Sequence, residues 1–242
     1  MLPLGVLCLA LVGAMGGAAP DHVLRAYRES RAKHQVKLGD PKLAWEFGRA
    51  CFDLAEYATN NTERAELAEQ GIAACRQALA HGPKLAEAHY YLGLNLGQLA
   101  RTRGLSALKM IKEMEAEWLA AAELDSRFDY AGPERSLGML YRDAPPIASV
   151  GSRSKARHQL VRAVELAPVY PENRFELIET YLKWNDRPGA RRELQALEKV
   201  WPAARAELSG APWAANWQEW ESRLEKLKKK TEEPSRMETP RH

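Results

Sequence analysis

The sequence contains little that points to catalysis or to a bound cofactor. Its six histidines are scattered, with no pair at the spacing of metal ligands and no carboxylates in step with them. No serine stands in the Gly-x-Ser-x-Gly context of an activated nucleophile, and no glycine-rich stretch forms a phosphate-binding loop. These absences predict a protein that is not an enzyme and that carries neither a metal nor a cofactor.

A strong charge bias and alternating β-branched runs are also missing. The net charge is only +3, and no stripe of Lys and Arg with interleaved aromatic residues is present, so a nucleic-acid partner is not predicted. With 45% hydrophobic and 28% charged residues, the composition is that of an ordinary globular protein. The spread of glycine and proline along the chain favours an all-α fold.

The one long apolar run covers residues 1–19 and ends in small residues, with Gly17 and Ala19 at the −3 and −1 positions of a cleavage site. It is too short to cross a membrane comfortably. It predicts a signal peptide cleaved after Ala19, and therefore a periplasmic or secreted protein. Cys8 lies inside the apolar run after Leu7, so there is no lipobox. The alternative is an N-terminal helix that remains buried in the fold.

Cysteine is scarce, and its position matters if the protein is exported. Once Cys8 leaves with the signal peptide, Cys51 and Cys75 remain. An even pair in an exported chain indicates a disulfide, which would close a loop of roughly 25 residues and contribute about 2–4 kcal/mol. The alternative is two reduced thiols that fill space in the core.

Residues 171–204 are the clearest organised stretch. They read as two short helices joined at residues 185–189, and they match one tetratricopeptide (TPR) unit without insertion. Apolar residues three, four and seven positions apart predict one seam between the two helices. The seam residues are Leu177, Ile178 and Tyr181 on the first helix, with Ala190, Leu194 and Leu197 on the second.

Three earlier stretches align with this unit, at about residues 41–83, 84–126 and 127–168, and each has an insertion of a different length between its helices. Residues 212–230 carry an apolar stripe of Trp213, Trp217, Trp220 and Leu224, which predicts a capping helix, the alternative being an aromatic cage that faces a ligand. Residues 231–242 are predicted to be disordered. The predicted domain spans residues 20–230. Its fold is a right-handed, TPR-like solenoid of helical hairpins with irregular, insertion-bearing repeats and a C-terminal capping helix.

The first helix of each TPR unit lines a concave face, and this face is the predicted binding surface. Aromatic side chains beside arginine are typical of binding hot spots for a peptide or an anionic apolar ligand. The alternative is that inserted helices cover the face and make these aromatics ordinary core. The predicted binding residues are Trp45, Arg49, Phe52, Tyr90, Gln98, Arg135, Met139, Arg142, Phe175 and Lys183.

Residues 104–174 resemble a known family. The likeness lies in GLSALKMIKEMEAEWLAAAELDSRFDYAGPERSLGMLY, in the loop ending ASVGSRSKAR, and in AVELAPVYPENR. These stretches are similar to the T component of tripartite ATP-independent periplasmic (TRAP) transporters. The resemblance implies an all-helical periplasmic protein with irregular TPR units that can form homo-oligomers, that partners a solute-binding protein and that has no catalytic activity. Members are often lipid-anchored, and this sequence departs from them in having no lipobox.

Three functions are therefore expected, in this order. The first is a non-catalytic exported TPR scaffold that binds a protein partner, such as a periplasmic solute-binding protein, through the concave face. The second is a periplasmic carrier that encloses a small amphipathic or anionic ligand, which an enclosed apolar cavity would favour. The third is an envelope assembly chaperone that keeps its N-terminal helix.

Overall fold

A computed structural model describes residues 18–104, 107–147 and 149–232, and these contain helices and no strand. The all-α class predicted from the sequence is confirmed. Most of the predicted signal peptide and of the predicted disordered tail lie outside the described residues. The helices are α1 Asp21–Val36, α2 Pro41–Ala55, α3 Asn61–His81, α4 Ala86–Ala100, α5 Ala107–Asp125, α6 Phe128–Asp143, α7 Arg153–Leu166, α8 Pro171–Lys183, α9 Arg187–Glu207 and α10 Ala214–Glu232.

The chain packs as two compact units, one ending at Ala156 and the other beginning at Arg157. In the first unit α2 packs on α3 and α4 packs on α5, while α1 lies against α2, α3 against α4, and α5 against α6. Within the described ranges, no helix combines the length and the hydropathy needed to cross a membrane.

Two glycines allow the paired helices of the first unit to approach closely. A Cβ at Gly48 of α2 would collide with the sulfur of Cys75 on α3, and a Cβ at Gly93 of α4 would collide with the indole of Trp118 on α5. Small residues therefore stand where the backbone of one helix meets a larger side chain of its partner. Asn95 of α4 then joins neighbouring hairpins, because its amide nitrogen donates to the carbonyl of Gly48 at 2.9 Å.

An N-cap fixes the start of the long α3. Asn60 accepts from the backbone N–H of Glu63 at 2.9 Å, and the Glu63 carboxylate accepts from the backbone N–H of Thr59 at 2.9 Å. Asn60 is therefore the N-cap of α3, and Glu63 ties the preceding residue to the first turn. The helix runs for 21 residues from Asn61, so the extra sequence in this hairpin lengthens a helix.

Cys51 and Cys75 are both buried, and the structure has them as free thiols. The Cys75 sulfur lies against Gly48, and Cys51 packs with Phe47 and Ala74. The disulfide between them stays a prediction. Burial raises the pKa of the Cys51 thiol to about 12 and also raises the pKa of Cys75.

In the second unit α8 packs on α9, and α10 packs on both. The seam residues on α8 and α9 are all buried. A short 3₁₀ turn at Ala211–Trp213 precedes α10, whose Trp217 and Trp220 are buried in the same apolar core. The indole of Trp220 donates to the Glu172 carboxylate at 3.0 Å. The tryptophan stripe is therefore core packing at the end of the fold, as a capping helix requires, and not an open aromatic cage.

Candidate functional site

One side of α2 presents an accessible row of four side chains, which we call the binding face: Lys42, Trp45, Arg49 and Phe52. Their spacing of three, four and three residues brings them to one side of the helix. Asp40 fixes the start of this helix, because its carboxylate accepts from the backbone N–H of Lys42 at 3.0 Å. Trp45 and Phe52 are half-buried, and the Arg49 side chain is 57% exposed. Two cations and two aromatic rings therefore alternate along the row.

Tyr91 of α4 lies beneath the binding face and orders it. The Trp45 ring is parallel to the Tyr91 ring, with centroids 6.0 Å apart and an interplanar angle of 4°. The Phe52 ring lies 6.5 Å from the Tyr91 ring, and the Arg49 guanidinium lies 5.9 Å from its centroid. Because these groups share one buried neighbour, each limits the motion of the others.

A second pair of rings packs against Tyr91. Tyr90 contacts Tyr91 edge-on at 5.2 Å, and Phe128 contacts Tyr90 at 5.5 Å and Tyr91 at 6.2 Å. Burial raises the pKa values of both tyrosines, and the nearby Asp129 carboxylate raises them further. Both hydroxyl groups therefore stay protonated at neutral pH, and Tyr90 donates its proton to Asp129 at 2.9 Å.

Phe128 reaches this cluster through an unusual turn at the start of α6. Asp129, Tyr130 and Ala131 all have left-handed backbones, with φ of 49°, 56° and 62°. Each such residue costs roughly 1–2 kcal/mol when it is not glycine. Arg135 compensates from one turn further on, because it donates to the Tyr130 carbonyl at 3.3 Å and to the Asp129 carboxylate at 3.4 Å.

A buried carboxylate lies at the end of α2. Glu56 accepts from Gln98 and lies 3.6 Å from Arg101, and its side chain is 13% exposed. Burial raises the pKa of Glu56 to about 7, although Arg101 and Gln98 oppose the shift. Gln98 therefore has a structural role, because it donates to this carboxylate.

The predicted binding residues occupy different environments. Trp45, Arg49 and Phe52 are accessible together, whereas Tyr90 and Gln98 are buried. Arg135 and Met139 are buried in α6, and the Arg142 side chain, 6% exposed, donates to the neighbouring Asp143 through two nitrogens at 2.8 and 2.9 Å. In the second unit, Lys183 is exposed and Phe175 is fully buried.

Phe175 is buried because α10 covers it. The Arg223 guanidinium lies 5.0 Å from the Phe175 ring and contacts three carboxylates of α8, those of Glu172, Glu176 and Glu179. Burial alone would lower the pKa of Arg223, but the three glutamates raise it well above its ordinary value. On α8 the predicted face is therefore covered by the C-terminal α10, and not by an inserted helix.

Tyr91, Phe128 and Asp129 were missed by reasoning from the sequence. The alignment assigned the face position to Tyr90, and its neighbour Tyr91 is the residue that turns toward α2. The signal for the left-handed turn is the sequence Ala-Gly-Pro just after Tyr130, which interrupts a helical pattern. Across the described parts of the chain, no three His, Cys, Asp or Glu side chains are grouped so that they could hold a metal ion.

A family model and solved structures both match this chain. The family model described as Regulator of microtubule dynamics protein 1-3 matches residues 17–129, which include α2 and α4. Among solved structures, a thermophilic TPR protein of Thermus thermophilus is similar, with a TM-score of 0.63 and 16% sequence identity over 85% of this chain and 90% of that one. The search of curated proteins gave no match. The structural similarity confirms the TPR-like helical-hairpin fold, and the resemblance to the TRAP transporter T component stays a prediction.

Proposed function

We propose that this chain is a non-catalytic scaffold that binds a protein partner through the binding face of α2. The observation that carries the proposal is the row of Trp45, Arg49 and Phe52, accessible yet held over one buried tyrosine. Aromatic side chains, tryptophan above all, and arginine contribute most of the binding energy at protein interfaces.

The packing of the row adds to this argument. Ordering a flexible side chain on binding costs about 0.5–1.5 kcal/mol. Trp45 and Phe52 are already packed against Tyr91 in the absence of a partner, so a large part of this cost falls on folding and not on association. The TPR-like fold is consistent with such a role, since its stacked hairpins offer extended surfaces.

Two kinds of partner follow from the sequence relationships. The resemblance to the TRAP transporter T component favours a periplasmic solute-binding protein, in an exported protein that can form homo-oligomers. The family match favours a partner connected with the microtubule dynamics named in that family's description. Sequencing the N-terminus of the mature protein tests the exported alternative, because the predicted cleavage after Ala19 requires the mature protein to begin at Pro20.

A small-ligand carrier is the less favoured function. Such a carrier encloses its ligand, whereas Arg49 extends from an open side of α2 with more than half of its side chain exposed. An open row of this kind suits a segment of another protein better than an enclosed small molecule.

The test is partner capture from the source cells by the full-length protein and by a Trp45→Ala/Phe52→Ala variant. Trp184→Ala is the matched control, because Trp184 is a half-buried tryptophan of the second unit. We expect the partner to be lost with the double variant and retained with the control, with helical circular dichroism unchanged in both. Equal capture by all three proteins would contradict the proposal.

A further inference from the structure

The order of side chains along the binding face specifies more than a general protein partner. Lys42, Trp45, Arg49 and Phe52 follow each other as cation, aromatic, cation, aromatic. At 1.5 Å of rise per residue, the two cations are about 10 Å apart along the axis of α2, and so are the two rings. A segment that matches this row must itself alternate two kinds of side chain.

The carboxylates around the binding face do not favour a basic partner, because each already has a hydrogen-bond donor or a cation beside it. Asp129 and Glu56 accept hydrogen bonds from groups inside the first unit, and the two acids on α2 have lysine or arginine neighbours one turn away. The four pairings are Glu46 with Lys42 at 3.9 Å, Asp53 with Arg49 at 3.5 Å, Glu56 with Gln98, and Asp129 with Tyr90 at 2.9 Å.

Arg49, in contrast, has binding capacity left. Its ion pair with Asp53 uses Nε, and its two terminal nitrogens have no ion-pair partner among the described residues. Guanidinium groups bind carboxylates through two parallel N–H donors. An exposed pair within one helix contributes only about 0.3–0.5 kcal/mol, so Asp53 holds Arg49 weakly. The side chain lies over Tyr91, which fixes its position without using its donors.

Resting on the function proposed above, we propose that the binding face recognises an acidic amphipathic segment of a partner protein. In this segment carboxylates meet Arg49 and Lys42, and apolar side chains meet Trp45 and Phe52. Arg49 is the residue that selects for acid, because a carboxylate beside it shares the space above Tyr91 with the two rings. The rings supply the contact area, and the cations fix the register of the segment.

The experiment is selection of a displayed random peptide library on the full-length protein, followed by synthesis of the enriched peptides and measurement of their affinity. We expect peptides that combine Asp or Glu with large apolar residues, and affinities that fall as NaCl rises. Arg49→Glu should weaken the enriched peptides by at least about tenfold and should itself select basic peptides. Arg28→Glu, at an exposed arginine of α1, is the matched control and should change affinity less than about twofold.

The outcomes separate this inference from the function beneath it. Peptides that need Trp45 and Phe52 but carry no acid, or that bind Arg49→Glu equally well, overturn the inference and leave the binding face intact. Acidic peptides whose affinity is unchanged by Trp45→Ala/Phe52→Ala show that the binding face recognises charge alone, which also overturns the inference. If no enriched peptide depends on any residue of the binding face, the proposed function fails together with the inference.

Discussion

Gly132→Ala is the substitution that tests the architecture of the site most severely. A Cβ at position 132 would lie 2.6 Å from the hydroxyl oxygen and 2.7 Å from Cζ of Tyr90. Separations below 3.0 Å require something to move, and Tyr90 is held on three sides by Tyr91, Phe128 and Asp129. The clash therefore has to be relieved by shifting the ring cluster or the left-handed turn.

We expect Gly132→Ala to lower the free energy of unfolding by about 1–3 kcal/mol, the usual cost of overpacking a filled core. The gain in helix propensity, about 1 kcal/mol at most, does not offset this because the residue lies at the start of the regular part of α6. Urea unfolding followed by far-UV circular dichroism measures the loss, and near-UV circular dichroism should show a weaker aromatic signal.

Gly39→Ala is the control, because nothing lies within 4 Å of a Cβ at that position. It should change stability by less than about 0.5 kcal/mol. If Gly132→Ala were as stable as the wild type and kept its near-UV spectrum, Tyr90 would not be packed on Gly132. The claim that the left-handed turn supports the binding face would then be wrong.

Three further predictions concern the stability of the fold and the state of its buried groups. The pKa of Glu56 is about 7 in the folded state against an ordinary 4.5, so between these pH values the folded state binds more protons than the unfolded state. The contribution of Glu56 to the free energy of unfolding is therefore fully present below about pH 4.5 and is lost as the pH rises through about 7. At about 1.36 kcal/mol per pKa unit the loss is roughly 3 kcal/mol, so Glu56→Gln should reduce the difference in urea midpoint between pH 5 and pH 8, and an unchanged difference would contradict the assignment. The buried thiols of Cys51 and Cys75 should resist Ellman's reagent in the native protein and both react in urea, and titration of fewer than two thiols in urea would indicate a disulfide. Arg223→Ala should cost about 2–4 kcal/mol, because it removes the guanidinium that Glu172, Glu176 and Glu179 share, and Arg205→Ala, at a more exposed ion pair with Glu221, should cost less than about 1 kcal/mol.

The helices and their seams could be predicted because the information is local. In residues 171–204 the apolar positions repeat with the period of a helix, and the resulting seam residues on α8 and α9 are buried. Gly48 and Gly93 meet Cys75 and Trp118 of their partner helices, where a small residue faces a larger one. Patterns of this kind need no knowledge of what lies beyond the hairpin.

The accessible part of the candidate site could not be predicted in the same way. Whether Tyr90 or Tyr91 faces α2 depends on a rotation of α4 that an alignment of repeats does not resolve. Phe175 has the right residue type for a binding position, but its exposure is decided by Arg223, which is 48 positions away in the chain. Three left-handed residues without glycine run against local preference, so they depend on tertiary contacts from Tyr90 and Arg135.

The most direct measurement of the central claim is site-specific photo-crosslinking with benzoylphenylalanine in place of Glu46, which lies on α2 one turn from Lys42 and leaves the binding face intact. The comparison is the same group in place of the exposed Lys199 of α9. The account predicts a discrete protein adduct from position 46 that is absent from position 199. The adduct should disappear when an enriched acidic peptide is added in excess. Adducts that are identical from both positions, or an adduct from position 46 that the peptide does not reduce, would contradict the claim that this side of α2 binds the partner.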